Sequence, residues 1–99
     1  MDINLELKNY LDAKGQLKQY PSKQRLQKIA MIFLASKFEA ERIYSEKEVN
    51  AVIDNACNFL NASGIRRDLI TNKFLNRKTD GSQYWLEKVQ PTLQQLNIE

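Results

Sequence analysis

Phe74-Leu75-Asn76-Arg77-Lys78-Thr79-Asp80-Gly81-Ser82-Gln83-Tyr84-Trp85-Leu86-Glu87 is the stretch that decides the fold. An Asp-Gly pair between two runs holding apolar and aromatic residues reads as a hairpin, because glycine supplies a positive φ at no steric penalty. The reading is a strand from Phe74 to Lys78, a tight turn at Thr79-Asp80-Gly81 and a return strand from Ser82 to Glu87. Period-two alternation puts Tyr84 and Leu86 on one face and Trp85 on the other. Pro91 stops the return strand and suits the first turn of a short C-terminal helix holding Leu93 and Leu96.

Working back from the hairpin, Ala62, Ile65 and Leu69 mark the buried side of a helix from Ala62 to about Asn72, with Asn61 as its N-cap. The residues Asn58-Phe59-Leu60-Asn61 make a tight connection to an earlier helix. That helix opens at Ser45-Glu46-Lys47-Glu48, a capping box in which hydroxyl and carboxylate each satisfy the other residue's amide. It carries Val49, Val52, Ile53 and Cys57 inward. Ile43-Tyr44 suits a very short strand, and Glu39-Ala40-Glu41-Arg42 is a polar connection before it. A further helix runs from an N-cap at Ser22 to about Lys37, burying Leu26, Ile29, Ala30, Phe33 and Leu34. Ile3, Leu7, Tyr10 and Leu11 predict an amphipathic helix ending near Gly15, and Tyr20-Pro21 interrupts the pattern.

The expected fold class is therefore mostly α with a small β-hairpin, an α+β domain resembling a winged helix-turn-helix. Residues 1–20 form an appended helix and linker. Residues 21–99 form the winged-helix-like domain with its short C-terminal helix. A chain of 99 residues holds one domain with one modest core.

Composition narrows the function classes. The chain has one cysteine and no histidine, which excludes an internal disulfide and any Cys/His zinc site. The N-terminus lacks the basic and then apolar regions of a signal peptide, and the longest apolar run is Ile29 to Ala35, too short to span a bilayer. The expectation is a reduced, cytoplasmic compartment with no membrane partner. Without histidine the usual base for a serine or cysteine nucleophile is missing. Glu46 and Glu48 point to different helix faces, and the three glycines are scattered, so no phosphate loop exists. No enzyme, metal or cofactor is expected, and Cys57 reads as a packing residue.

The net charge of +3 is mild but unevenly spread. No acid lies between Asp12 and Glu39, the stretch from Glu39 to Asp54 is acidic, and Arg66, Arg67, Lys73, Arg77 and Lys78 face only Asp68. Such blocks either pair internally or leave a basic face. On the helix from Ala62, a step of 100° per residue turns Ser63, Gly64, Arg67, Asp68 and Thr71 outward. Arg66 falls nearer the buried edge, where it pairs with an acid such as Glu48 or Asp54. Arg67, Thr71, Lys73, Arg77 and Lys78 form the candidate nucleic-acid-binding surface across helix and wing. Arg67 is the one residue suited to reading a guanine edge by two hydrogen bonds. The competing reading is a solvated helix face and an edge strand guarded by charge. Trp85, Tyr44 and Tyr84 read first as packing residues. The stripe of Ile3, Leu7, Tyr10 and Leu11 packs either on its own domain or against a second copy. Beside a DNA-binding regulator therefore stands the alternative of a protein-interaction or dimerisation module in a regulatory complex, with no direct DNA contact. It would use the N-terminal helix and Trp85 toward a protein partner or homodimer.

Four motifs in order carry a resemblance: Tyr44-Ser45-Glu46-Lys47-Glu48-Val49-Asn50, Ile65-Arg66-Arg67-Asp68-Leu69-Ile70, Phe74-Leu75-Asn76-Arg77 and Asp80-Gly81-Ser82-Gln83-Tyr84-Trp85. Over about residues 20–87, Tyr20-Pro21-Ser22-Lys23 and Phe38 included, the chain resembles the bacterial domain of unknown function two thousand and eighty-seven. The resemblance implies no assigned activity. It implies a domain found alone or at the C-terminus of transcriptional regulators whose DNA-binding module lies upstream, where it would be a sensor or dimerisation unit. Asn61 departs from the family pattern, standing where many members carry Asp. That keeps an N-cap and removes a negative charge. The shared Arg66-Arg67 pair fits an internal ion pair or a binding role.

Overall fold

The computed structural model describes residues 1–98. Its elements are α1 (Ile3–Glu6), a 3-10 turn (Lys8–Tyr10), α2 (Gln24–Ala35), α3 (Glu46–Ala56), α4 (Ala62–Thr71), β1 (Leu75–Arg77) and β2 (Tyr84–Leu86). The architecture is α+β, four helices and an antiparallel hairpin, in the expected order.

The start of α3 follows the sequence closely. The Ser45 amide donates to Glu48 Oε1 at 2.8 Å, and the Glu48 amide donates to Ser45 Oγ at 3.1 Å. With its first turn capped, α3 buries Val49, Ile53 and Ala56 against α4, whose Ile65 and Leu69 are fully enclosed. α2 lies beneath them with Ile29, Ala30, Met31, Phe33, Leu34 and Ala35 in the same core, while Leu26 is only half-buried.

α4 hands the chain to the hairpin through a Schellman turn. The Phe74 amide reaches the Leu69 carbonyl at 2.9 Å and the Lys73 amide the Ile70 carbonyl at 3.1 Å. Lys73 takes the left-handed conformation this turn requires, with φ of 69°. Phe74 then packs into the core beside Leu69. β1 and β2 pair Leu75 with Leu86, Asn76 with Trp85 and Arg77 with Tyr84. The strands are three residues each, shorter than expected, and the tight Asp-Gly turn is wider. It is closed by the Lys78 amide on the Gln83 carbonyl, with Gly81 at φ 75°.

The short strand expected at Ile43-Tyr44 is a single bridge. Tyr44 and Tyr84 exchange two backbone hydrogen bonds of 2.8 Å each. The buried Tyr44 hydroxyl accepts the Glu39 amide, and its ring meets Phe38 edge-on. The connection between α2 and α3 is thereby sewn to β2, making a ladder ordered Tyr44, β2, β1.

Four local expectations are corrected. The helix expected from Ile3 to near Gly15 is one α-helical turn ending at Glu6 followed by a 3-10 turn to Tyr10. Beyond it Asp12 Oδ1 takes the amides of Lys14 and Gln16, both at 2.9 Å, in a turn. An aspartate bonding the backbone ahead of it favours a turn over a helix. Leu17 folds back beside Leu11 and bridges Cys57, and Leu7 and Leu17 are fully buried in the common core. Ser22 is not the N-cap of α2: the chain is still extended at Lys23, which holds that position without a side-chain bond. Asn61 does sit at the N-cap of α4, but its side chain makes no capping bond and lies over Gly64. The short C-terminal helix is one turn, opened by reciprocal bonds between Thr92 and Gln95. Left-handed Asn97 closes that turn before a second can form, and Leu96 and Ile98 are buried.

Candidate functional site

Where α4 faces the inner side of the hairpin, a groove of about 490 Å3 is lined by Glu46, Arg66, Arg67, Ile70, Thr71, Arg77 and Tyr84. Helix spacing explains the first contributors: Arg66, Arg67, Ile70 and Thr71 occupy successive turns of one side of α4. Strand pairing explains the others, since Arg77 and Tyr84 are direct partners in the ladder.

Arg66 is the anchor. Its side chain is 17% exposed. One nitrogen pairs with Glu46 Oε1 at 2.7 Å and the other donates to Asn50 Oδ1, while the guanidinium sits 6.0 Å over the Tyr84 ring. The expected internal ion pair exists, but its partner is Glu46 and not Glu48. Glu46 and Asn50 stand one turn apart on the side of α3 that meets α4. Glu48 is committed elsewhere, to the Ser45 amide and to Arg42 at 3.4 Å. Those bonds, the Ser45 amide first, hold the Glu48 carboxyl below its usual range.

Arg67 is exposed and forms no hydrogen bond or ion pair among the described residues. Arg77 curls back on the turn, its guanidinium 3.2 Å from the Thr79 carbonyl. Three guanidinium groups thus share the groove with one carboxylate, which Arg66 already occupies. Asp68, the acid nearest in sequence, does not line this groove. It accepts the Tyr20 hydroxyl at 2.7 Å on the side of α4 that faces α2. Burial, and then this bond, push the Tyr20 hydroxyl well above its ordinary range.

Of the five expected binding residues, the structure brings Arg67, Thr71 and Arg77 together. Lys73 opens onto a neighbouring groove with Asn72, Val89 and Gln95. Lys78 lies on the outer side of the hairpin. Sequence reasoning missed that Arg66, although paired, also lines the site, and that Ile70 and Tyr84 complete its wall. The signal was Arg66's place at the edge of the buried arc together with the hairpin register.

Cys57 is buried, and its thiol is pushed up to about 11 by that burial and then by Asp54. Among the described residues no cluster of three or more His, Cys, Asp or Glu is placed to hold a metal ion, and no helix is long and apolar enough to cross a membrane.

The family model described as "Uncharacterized protein conserved in bacteria (DUF2087)" matches residues 16–86. The chain belongs to the DUF2087 family. The DUF2087 region runs from the turn before Leu17 to the end of β2 and contains every residue lining the arginine groove. Neither a curated protein nor a solved structure matches the chain.

Proposed function

We propose that this protein is a non-enzymatic nucleic-acid-binding regulator of bacterial transcription, contacting duplex DNA through α4 and the inner side of its hairpin. The observation that carries this reading is the convergence of Arg66, Arg67 and Arg77 with Thr71 on one groove, where Arg67 has no hydrogen-bond or ion-pair partner among the described residues. Guanidinium groups suit phosphate oxygens because their planar donors match that geometry. Arg66 would serve as a positioning residue, already held by Glu46 and Asn50. Arg67 would meet the duplex directly, with Thr71 donating a hydroxyl beside it. The order of elements matches a winged helix, in which the last helix of the trio enters the major groove and the hairpin touches the adjoining backbone. Lys73, on a neighbouring groove, and Lys78, on the outer side of the hairpin, would add long-range attraction only. The protein would act in a reduced, cytoplasmic compartment, where the buried Cys57 stays a thiol.

The test is fluorescence anisotropy of a labelled mixed-sequence duplex at several salt concentrations. The expected result is salt-dependent binding whose log–log slope becomes shallower by about 1 in Arg67→Glu, one phosphate contact being worth about 0.9. Absence of binding at low salt, or equal binding by the variant, would overturn the reading.

A further inference from the structure

The outer side of the same hairpin is built for something else. The Tyr44–Tyr84 bridge sets Ile43 directly opposite Trp85, on the face away from the arginine groove. Ile43 is 54% exposed and Val89 87%. A shallow groove of about 900 Å3 runs between them over Trp85 and Leu86, and Glu41, Glu87, Lys78 and Lys88 border it. None of these four charged side chains forms an ion pair among the described residues.

We propose that this face is the contact through which two copies of the chain form a two-fold dimer, with Trp85 near the axis. An apolar centre ringed by polar residues is the ordinary anatomy of a protein contact. The ring identifies the partner. Two carboxylates and two ammonium groups border the same centre, so the border of one copy carries both the charges that the border of a second copy needs. A nucleic acid would meet the carboxylates and gain nothing from Ile43, Trp85 and Val89. A partner of a single sign would oppose two like charges. Association through the free edge of β1 is disfavoured, because the Asn76 side chain already accepts the Arg77 amide at 2.8 Å. The face, not the edge, is the available surface.

Sedimentation equilibrium of the full chain, with no nucleic acid present, tests this apart from the groove reading. The wild type is expected to be a reversible dimer in the micromolar range. Lys78→Glu/Lys88→Glu makes the ring wholly acidic, and Glu41→Lys/Glu87→Lys makes it wholly basic. Each variant alone should raise the dimer dissociation constant by on the order of a hundredfold. An equimolar mixture of the two should recover a dimer holding one copy of each. Val89→Asp, at a position that packs on little, should weaken association with the melting temperature unchanged. A wild type that stays monomeric up to about a millimolar, variants that all keep the wild-type constant, or a mixture that fails to associate would each overturn the proposal.

Discussion

The two sides of one hairpin carry opposite chemistry. Inward, Tyr84 and Arg77 meet Arg66 from α4, and a buried aromatic ring supports guanidinium groups. Outward, Trp85 meets Ile43 across the Tyr44 bridge, and an apolar row lies open. The side chains alternate along three-residue strands, so neighbouring residues serve separate surfaces. The lesson is that the wing is a partition between a cationic groove and an apolar face, not an appendage of the helices. Its position depends on two ties, the Schellman turn after α4 and the two hydrogen bonds between Tyr44 and Tyr84.

The largest expected difference between the sides is in stability. Tyr84→Ala removes a buried ring from the inner side and should destabilise by about 3 kcal/mol in urea unfolding. Trp85→Ala on the half-exposed outer side should lose about 1 kcal/mol. Equal losses would mean that the outer side is as much core as the inner, and would erase the distinction.

A smaller contrast separates the adjacent arginines. Arg66→Ala strips Glu46 and Asn50 of their partner and should destabilise by about 1–2 kcal/mol, while Arg67→Ala should stay within about 0.5 kcal/mol. If the two cost the same in a denaturant melt, Arg67 has a structural role and is not reserved for a ligand.

The smallest effect lies at the tip that joins the two sides. Asp80 accepts the Ser82 hydroxyl at 2.7 Å and the Ser82 amide at 2.9 Å, and these bonds hold its carboxyl below the ordinary 3.8. A carboxyl depressed in the folded state contributes stability above its unfolded value, and that contribution is lost as pH falls through the folded value. An NMR titration should therefore find the Asp80 midpoint below 3.8. Ser82→Ala should move it upward. A midpoint unmoved by that substitution would show that the tip is not held by these bonds.

Much of this was legible in the chain because the deciding signals are local. The capping box at Ser45 and Glu48 needs only four residues, and the inward stripe of α4 needs only the helical period. The glycine at 81 needs only its own backbone freedom, and it does take a positive φ. Expectations failed where a local signal competed with another. Asp12 captured two amides and made a turn where Ile3, Leu7, Tyr10 and Leu11 implied a helix running on to near Gly15. Left-handed Asn97 closed the C-terminal turn. The partner of Arg66 was misassigned for a different reason: every acid on α3 is a candidate until the rotation of α3 against α4 is known.

The sequence by itself determined the order of the elements, the α+β class and the two-sided alternation of the hairpin. These follow from helical and strand periods and from capping and turn chemistry, which act over a few neighbouring residues, whereas the family followed from the resemblance of four motifs in order. Only the tertiary structure decided that Arg66 pairs with Glu46, that Asp68 turns away to Tyr20, and that Arg67, Thr71 and Arg77 share a groove while Lys73 and Lys78 do not. Each of those outcomes depends on the angle at which α4 meets α3, α2 and the hairpin. That angle is set by the packing of Ile65, Leu69, Phe74 and Tyr84 together, a property of the assembled core and of no single segment.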